Sequence, residues 1–438
     1  MLLQRSSIAS HRAQNGRSST RVPTRTTCHS DKHQSGIPSA STEIRKSASN
    51  TDAPVVGPVA EQSWLSKLSL GIATASIVGM STMSLQFAPP AEAMLTAGDP
   101  IKNATTLLRN ALPINNKPIR EIQRDLEGIS EALRIPGSKN LGPVARAVRS
   151  AQGTLNSKKD AIIADFAPDK KAEGVAALQQ LDQSLAEFAS IVEAKDKQAV
   201  PIKQREALTY VSTIEEAMVK GFPFEVPAEY KDMPQLLGRA TLEMSVTLNE
   251  TPEGKPATVL MTVVLDGLNA PVSAGSFMDL VLRKFYDGMD VQRSDGFVVQ
   301  TGDPEGPEDG FVDPATGKIR RIPIEIRVQG DAAPIYEFSL EDLGRANDQP
   351  VLPFNAFGTL AWARNEFDNN SASSQVFFLL KDSELTPVGA NLLDGRFSVF
   401  GYVTNGQDNL GFMKVGDKIN YIKVVDGQQY LKNGPTLA

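Results

Sequence analysis

Apolar side chains between residues 99 and 220 recur at alternating intervals of three and four. This spacing places them on one face of a helix, and it occurs in three separate segments. The three stripes are Ile119, Ile122, Leu126, Ile129 and Leu133, then Val175, Leu178, Leu181, Leu185, Phe188 and Ile191, and finally Leu208, Val211, Ile214 and Met218. Zipper seams for a partner are the alternative, but two to three heptads are short for a coiled coil. We therefore predict an all-α helical bundle over residues 94–220.

The helical pattern ends in a stretch that is rich in proline. Pro223, Pro227 and Pro234 lie within twelve residues of one another. Because proline breaks a continuous helix, this stretch is typical of a semi-rigid connector. We place the linker at residues 221–237.

The C-terminal half, residues 238–438, changes to a period of two. Residues 240–248 and 257–265 alternate or run apolar as strands do, and shorter strands follow between Gly and Pro turns. A helical pattern covers residues 273–285. The sequence thus predicts an α+β multidomain chain, in which the helical bundle is followed by a closed antiparallel β-barrel with capping helices.

The first 63 residues differ in composition from the two regions described above. Residues 1–60 hold eight Lys and Arg against three acids, in a background rich in Ser and Thr without apolar periodicity. Such a segment cannot bury a core, and it is typical of a chloroplast transit peptide. By composition alone, an ordinary disordered tail would look the same.

A second signal over residues 64–93 decides between these interpretations. Lys67 precedes an apolar run at residues 68–83, and Ala91-Glu92-Ala93 follows as a cleavage motif. The run is shorter than the roughly twenty residues that a membrane span requires. A transit peptide followed by a bacterial-type signal indicates import into the thylakoid lumen, and the lack of an Arg pair before the run favours a Sec-like route. We expect cleavage after Ala93.

Cleavage at this point removes all three histidines and the single cysteine. A mature chain without them has no Ser-His or Cys-His nucleophile pair, no zinc site of the usual ligands and no disulfide. The presequence holds nine of the 45 basic and five of the 51 acidic residues, so the mature chain keeps 36 basic and 46 acidic residues, a net charge of −10. An acidic chain without a basic stripe argues against a nucleic-acid partner. No cofactor and no metal are expected.

Three ordered sequence blocks lie in the C-terminal half. In the first, Arg293 is followed by Gly296-Phe297, then Gln300, then Gly302-Asp303. The blocks are residues 285–304, residues 358–363 together with 373–378, and residues 392–401. In this order they resemble the signature of the cyclophilin family. The resemblance covers roughly residues 238–438 and implies a cyclophilin-like peptidyl-prolyl isomerase domain.

Prolyl isomerisation needs few catalytic groups. Rotation about a prolyl bond is opposed by amide resonance, with a barrier of about 18–20 kcal/mol. A guanidinium aimed at the prolyl nitrogen stabilises its lone pair as conjugation is lost, without nucleophile, base or metal. The resemblance implies that Arg293 is this catalytic donor. It also implies a substrate-binding set of Phe297, Val298, Gln300, Ala363, Phe377 and Leu392.

Each assignment has a plainer alternative. Arg293 alone would be read as a solvated strand arginine, and Phe297 and Phe377 as barrel core, because pocket and core share a composition. The glycines and Gln300 that follow in register favour the site. Trp362 immediately precedes Ala363, so its emission is expected to report a bound peptide unless it lies on the far face of the strand.

The sequence also departs from the cyclophilin pattern. Gln292 and Phe397 stand where the family usually has His, Leu392 stands where it commonly has Trp, and one residue is missing between Arg293 and Gly296. Misplacement of a catalytic group by about an ångström can cost about a hundredfold in rate. Binding of proline segments is therefore a safer expectation than fast turnover, and cyclosporin sensitivity is expected to be weak.

The whole chain resembles the large two-domain lumenal cyclophilins of plants and algae, which are associated with photosystem II assembly. The resemblance implies a lumenal isomerase and foldase that assists assembly or maintenance of photosystem II. Its expected partners are proline-containing segments, including lumenal loops of photosystem II subunits, with any membrane association being peripheral. The alternative is a catalytically weak peptide-binding scaffold or chaperone that the helical domain restrains or masks.

Overall fold

The computed structural model describes residues 100–134, 141–382 and 391–435. The predicted transit peptide and lumenal signal, residues 1–63 and 64–93, lie outside the described residues. Among the residues that are described, no helix combines the length and the apolar character needed to cross a bilayer.

Five helices form the N-terminal part of the described chain. They are α1 Ala104–Asn110, α2 Lys117–Arg134, α3 Gly142–Ala164, α4 Lys171–Glu193 and α5 Ala199–Glu216. The predicted stripes supply the bundle core, in which Ile119, Leu126, Leu185 and Phe188 are fully buried. Leu133 and several other stripe members are only partly buried, because they lie at the edges of the helix faces. The predicted helical region is confirmed.

The C-terminal part is built on an eight-stranded antiparallel sheet. Its strands lie in the order β13-β2-β3-β12-β10-β11-β5-β4. The strands of this part are β1 Gln235–Leu236, β2 Arg239–Leu248, β3 Ala257–Asp266, β4 Val291–Ser294, β5 Val298–Thr301, β6 Val312–Asp313, β7 Lys318–Ile319, β8 Glu325–Ile326, β9 Ile335–Tyr336, β10 Thr359–Trp362, β11 Val376–Leu379, β12 Val399–Asn405, β13 Lys418–Asp426 and β14 Leu431–Lys432. We call this sheet with its helix and loops the β-domain.

The sheet curls but does not close into the barrel that the sequence predicts. The edge strands β4 and β13 meet at one end only, through a single bridge between Asp290 and Lys418. Near it, Val291 donates its N–H to Asp417 O at 2.8 Å, and Ile419 donates to Met289 O at 2.9 Å. A four-residue β4 is too short to pair along the nine residues of β13, so the result is a curled half-barrel.

One α-helix caps the sheet. Helix α6, Pro271–Leu282, begins with proline in its first turn, where the missing N–H costs no hydrogen bond. The N–H groups of Val272 and Ser273 donate to the Glu325 carboxylate at 3.2 and 2.7 Å, which satisfies the helix N-terminus. Capping helices were predicted. In the described part of the chain, the 3₁₀ segment Gln407–Phe412 also lies against the sheet, beside β3.

Helix α1 joins the bundle to the β-domain. Its Leu107 and Leu108 are buried in the core of the sheet and not in that of the bundle. Arg239 of β2 binds the Asp266 carboxylate at 2.6 Å and Glu216 of the bundle at 3.3 Å, and it also donates to Leu108 O. These contacts connect the bundle to the β-domain beside β2 and β3.

Candidate active site

Three of the predicted site residues lie in one row across neighbouring strands. In the antiparallel register, Arg293 of β4 faces Gln300 of β5, Gln300 faces Phe377 of β11, and Phe377 faces Ala361 of β10. Directly opposed residues project from the same face of a sheet, so sequence blocks that are far apart converge. Ala363 lies two positions beyond Ala361, and its N–H donates to Gln375 O at 2.9 Å.

A cavity of about 630 Å³ opens over this row. Six of the seven predicted residues line it. They are Arg293, Phe297, Val298, Gln300, Ala363 and Phe377. A volume of this size is in the range of peptide and small-molecule sites.

Leu392 is the predicted residue that does not line the cavity. Its side chain is 76% exposed, whereas its neighbour Leu393 lines the cavity instead. The turn is fixed by Asp394, which accepts N–H groups from Phe354 at 2.7 Å and Asn391 at 3.0 Å. Burial of this carboxyl raises the pKa of Asp394 to about 6. Leu393 therefore lines the cavity where Leu392 was expected, and a role of Leu392 in substrate binding stays a prediction.

Aromatic rings form the apolar wall. Phe377 stacks on Phe354 with ring centroids 5.9 Å apart, and Phe397 meets Phe377 edge-on at 5.5 Å. Such contacts favour fixed ring positions. The sequence marks Phe397 only as a departure from the family pattern. Phe354, which stands outside the family blocks, is fully buried behind Phe377 and does not itself line the cavity.

The two glutamines form a hydrogen-bonded pair in the cavity. Gln300 donates through Nε2 to Gln375 Oε1 at 2.8 Å, and Gln375 donates to Asp303 Oδ1 at 3.0 Å. This chain of hydrogen bonds orients the Gln300 amide in the cavity. Gln375 belongs to the second sequence block, but the sequence alone assigned it no role.

Charged side chains line the rest of the cavity. Asp309 accepts two hydrogen bonds from Arg321, at 2.9 and 3.2 Å, and Arg321 also donates to Ser371 O at 2.8 Å. Arg364 lies over the Phe397 ring, 4.9 Å from its centroid. The sequence did not identify these residues, because they lie outside the motif positions.

Arg293 itself is paired with a carboxylate. Its Nε donates to Asp295 Oδ2 at 2.8 Å, and its Nη2 lies 2.5 Å from the same oxygen. The other oxygen, Oδ1, accepts the N–H groups of Phe297 and Val298, each at 2.9 Å. These backbone N–H groups first, and Arg293 next, lower the pKa of Asp295 to about 2. Asp295 was not among the predicted site residues.

Trp362 lies on the opposite face of β10 from Ala363. It is 2% exposed, and its ring packs 5.0 Å from Phe400 and 6.1 Å from Phe277 of α6. The expectation that Trp362 reports a bound peptide is therefore replaced by its alternative, a tryptophan in the core.

Among the described residues, those that line the cavity fall between positions 293 and 397. The helices α1 to α5 supply none of them, so the hypothesis that the bundle masks the groove gains no support from this arrangement. In the described ranges, no group of three or more His, Cys, Asp or Glu side chains is placed to hold a metal ion. The expectation that no cofactor is required stays a prediction.

Two family profiles match the chain. One, described as peptidyl-prolyl cis-trans isomerase CYP38-like, PsbQ-like domain, covers residues 103–219. The other, described as cyclophilin type peptidyl-prolyl cis-trans isomerase/CLD, covers residues 256–431. The first range spans helices α1 to α5, and the second spans the β-domain from β3 onward, so β1 and β2 lie before it.

Relatives match both parts together. The chain is 53% identical over 344 residues to peptidyl-prolyl cis-trans isomerase CYP38, chloroplastic, from Arabidopsis thaliana, with 78% of each chain covered. The chain belongs to the cyclophilin-type peptidyl-prolyl cis-trans isomerase family. It is 45% identical over 341 residues to the putative thylakoid lumen peptidyl-prolyl cis-trans isomerase sll0408 of Synechocystis sp., with 78% of this chain and 86% of the relative covered. Over 362 residues it is 32% identical to CYP37, chloroplastic, of Arabidopsis thaliana, with 78% and 74% covered.

These names also confirm the predicted compartment. One relative is chloroplastic and another is assigned to the thylakoid lumen, in agreement with the compartment expected from the predicted presequence. The predicted enzyme class is confirmed by the family. The cleavage position after Ala93 stays a prediction.

Proposed function

We propose that this lumenal cyclophilin binds proline-containing segments in the 630 Å³ cavity and isomerises the prolyl bond there. The observation that carries the proposal is the row in which Arg293, Gln300 and Phe377 face one another in register. The prolyl ring lies against Phe377 and Leu393, and the Gln300 amide binds the backbone of the segment.

Arg293 supplies the chemistry. In the twisted amide the nitrogen lone pair is no longer conjugated, so it accepts a hydrogen bond that the planar amide accepts poorly. A guanidinium beside this nitrogen stabilises the transition state more than either ground state, which is the condition for catalysis. Each 1.36 kcal/mol of such selective stabilisation is worth about tenfold in rate.

An Arg293→Ala variant tests the catalytic role. We expect prolyl isomerisation of an Xaa-Pro peptide to fall by about a hundredfold or more, as is typical when one charge-stabilising donor is lost. Peptide affinity should fall only modestly, because Phe377 and Gln300 remain. The measurement is a protease-coupled isomerisation assay beside calorimetric binding. The control is Arg149→Ala, which removes an exposed arginine on α3, far from the cavity residues in sequence. Equal rates in wild type and Arg293→Ala would remove Arg293 from the mechanism.

A second candidate function is a peptide-binding scaffold with weak turnover. The ion pair between Arg293 and Asp295 favours it, since a guanidinium already bound to a carboxylate is a weaker donor to substrate. The scaffold interpretation predicts that wild type and Arg293→Ala bind the same peptides and that neither isomerises them measurably.

We infer that the clients are lumenal loops of photosystem II subunits. Support comes from the resemblance to the two-domain lumenal cyclophilins and from the PsbQ-like description of the helical region. The test places a photo-crosslinking residue at Leu392, which is exposed beside the cavity. Crosslinks to loops of photosystem II subunits that an excess of proline peptide suppresses support the proposal. Crosslinks that the peptide leaves unchanged contradict it.

A further inference from the structure

The turn between β4 and β5 places a carboxylate directly on the proposed catalytic arginine. Asp295 Oδ2 lies 2.8 Å from Arg293 Nε and 2.5 Å from Nη2. The pair lies at the cavity mouth, where the Arg293 side chain is 54% exposed and that of Asp295 is 39% exposed. Arg293 lines the cavity, so the carboxylate lies beside the group that faces substrate.

The backbone holds this carboxylate in place. Asp295 Oδ1 accepts the N–H groups of Phe297 and Val298, both at 2.9 Å, and Asp295 N donates to Val298 O at 3.3 Å. Gly296 occupies the left-handed region at φ 78°, which lets the short turn form without strain. Asp295 cannot swing away from Arg293 without losing two backbone hydrogen bonds. The turn therefore holds the carboxylate end of this contact in place, unlike a pair of two mobile surface side chains.

A neighbouring carboxylate changes what the guanidinium can do. The twisted prolyl nitrogen is stabilised by the positive charge and N–H donors of Arg293, and Asp295 offsets that charge and engages Nε and Nη2. Asp295 therefore weakens the stabilisation of the transition state more than that of the ground state, because the planar amide nitrogen interacts only weakly with the guanidinium. Binding of the prolyl ring by Phe377 and Leu393 does not depend on this charge.

We propose that Asp295 attenuates Arg293, so that the β4–β5 turn sets the turnover of this cyclophilin below what its cavity would otherwise support. The proposal rests on the proposed function of Arg293 as the donor to the prolyl nitrogen. Asp295 is ionised near neutral pH, in line with its depressed pKa, so the attenuation does not act as a pH switch in that range.

The decisive variant is Asp295→Asn. Its side-chain oxygen can still accept the N–H groups of Phe297 and Val298, so the turn is retained while the negative charge is lost. We expect kcat for an Xaa-Pro peptide to rise by about tenfold, because the guanidinium donors that Asp295 engages become available to the transition state. KM should change by less than about twofold, because the apolar wall is untouched.

Two further variants make the result specific. Asp295→Asn combined with Arg293→Ala should show no gain over Arg293→Ala alone, since the effect acts through the guanidinium. Asp290→Asn is the matched control, because it removes an exposed carboxylate from an ion pair of 2.7 Å with Lys418, just before β4. It should leave kcat unchanged. Thermal denaturation of each variant checks that the fold is retained.

The outcomes separate this inference from the proposed function. A fall in kcat for Asp295→Asn would make Asp295 a positioning residue for Arg293 and overturn the attenuation, as would an unchanged kcat. If wild-type turnover depends on Arg293 while Asp295→Asn gives no gain, the proposed function stands and this inference alone fails. If neither wild type nor Asp295→Asn isomerises a peptide that both bind, the attenuation and the catalytic role of Arg293 are both rejected.

Discussion

One ion pair in the bundle and one in the β-domain lie in very different surroundings. In the bundle, Glu215 is fully buried and lies 3.2 Å from Arg120, and its Oε2 has no hydrogen-bond partner within the described residues. In the β-domain, Arg293 and Asp295 form their pair at an open cavity. A buried charge affects folding through the cost of its desolvation, whereas a charge at a cavity affects the molecules that bind there. Changes in the bundle should therefore alter stability, and changes at the cavity should alter rates.

The largest change in stability is expected from a substitution in the bundle core. Phe188 is fully buried on α4, and Phe188→Ala should lower the free energy of unfolding by about 3–5 kcal/mol through lost contacts and a cavity. Helical circular dichroism at 222 nm should show the loss as a lower denaturation midpoint. Emission of Trp362, in the core of the β-domain, should shift less. The control, Ile202→Ala, changes an exposed residue of α5 and should stay within about 0.5 kcal/mol of wild type. Equal shifts in both probes would show that the two parts unfold as one unit.

A smaller change in the free energy of unfolding should come from titration of Glu215. Burial raises its pKa to about 8, against the opposing charges of Arg120 and Arg109. A group whose pKa is raised by folding contributes stability that is complete below its unfolded pKa of 4.5 and is lost as the pH rises toward 8. Between these values the wild type should lose up to about 1.4 kcal/mol of unfolding free energy per pH unit relative to Glu215→Gln.

The measurement for Glu215 is a series of denaturant titrations between pH 5 and pH 8. The matched control is Glu216→Gln, which changes the adjacent, half-exposed carboxylate bound to Arg239 at 3.3 Å. This variant keeps Glu215, so the difference in pH slope that Glu215 causes should remain. Parallel slopes for wild type and Glu215→Gln would mean that Glu215 is ionised in the folded protein throughout this range.

The smallest effect is expected from Trp362. Its ring lies in the core against Phe400, on the face of β10 opposite to the cavity. In the chain from residue 94 onward it is the single tryptophan, and saturation with a proline peptide should change its emission by only a few per cent, on the order expected for a side chain without contact to ligand. A large change would mean that peptide binding repacks the core beneath α6.

The sequence by itself determined the two-part organisation and six of the residues that line the cavity. Amphipathic spacing marks helices because residues three and four apart share a face, and alternation marks strands because successive side chains point to opposite faces. The same alternation, applied to β10, puts Trp362 and Ala363 on different faces. The ordered blocks supplied Arg293, Gln300 and Phe377, since each block fixes the residues of its own strand.

Only the tertiary structure decided the remaining features. Helix α1 buries Leu107 and Leu108 in the β-domain core, although it precedes the helices of the bundle. The turn after Asn391 brings Leu393, in place of Leu392, to the cavity, and the shortened turn after β4 pairs Asp295 with Arg293. The physical reason is that these outcomes depend on turn geometry and on contacts between residues far apart in the chain. A local pattern of apolar and polar positions predicts neither the turn geometry nor these long-range contacts.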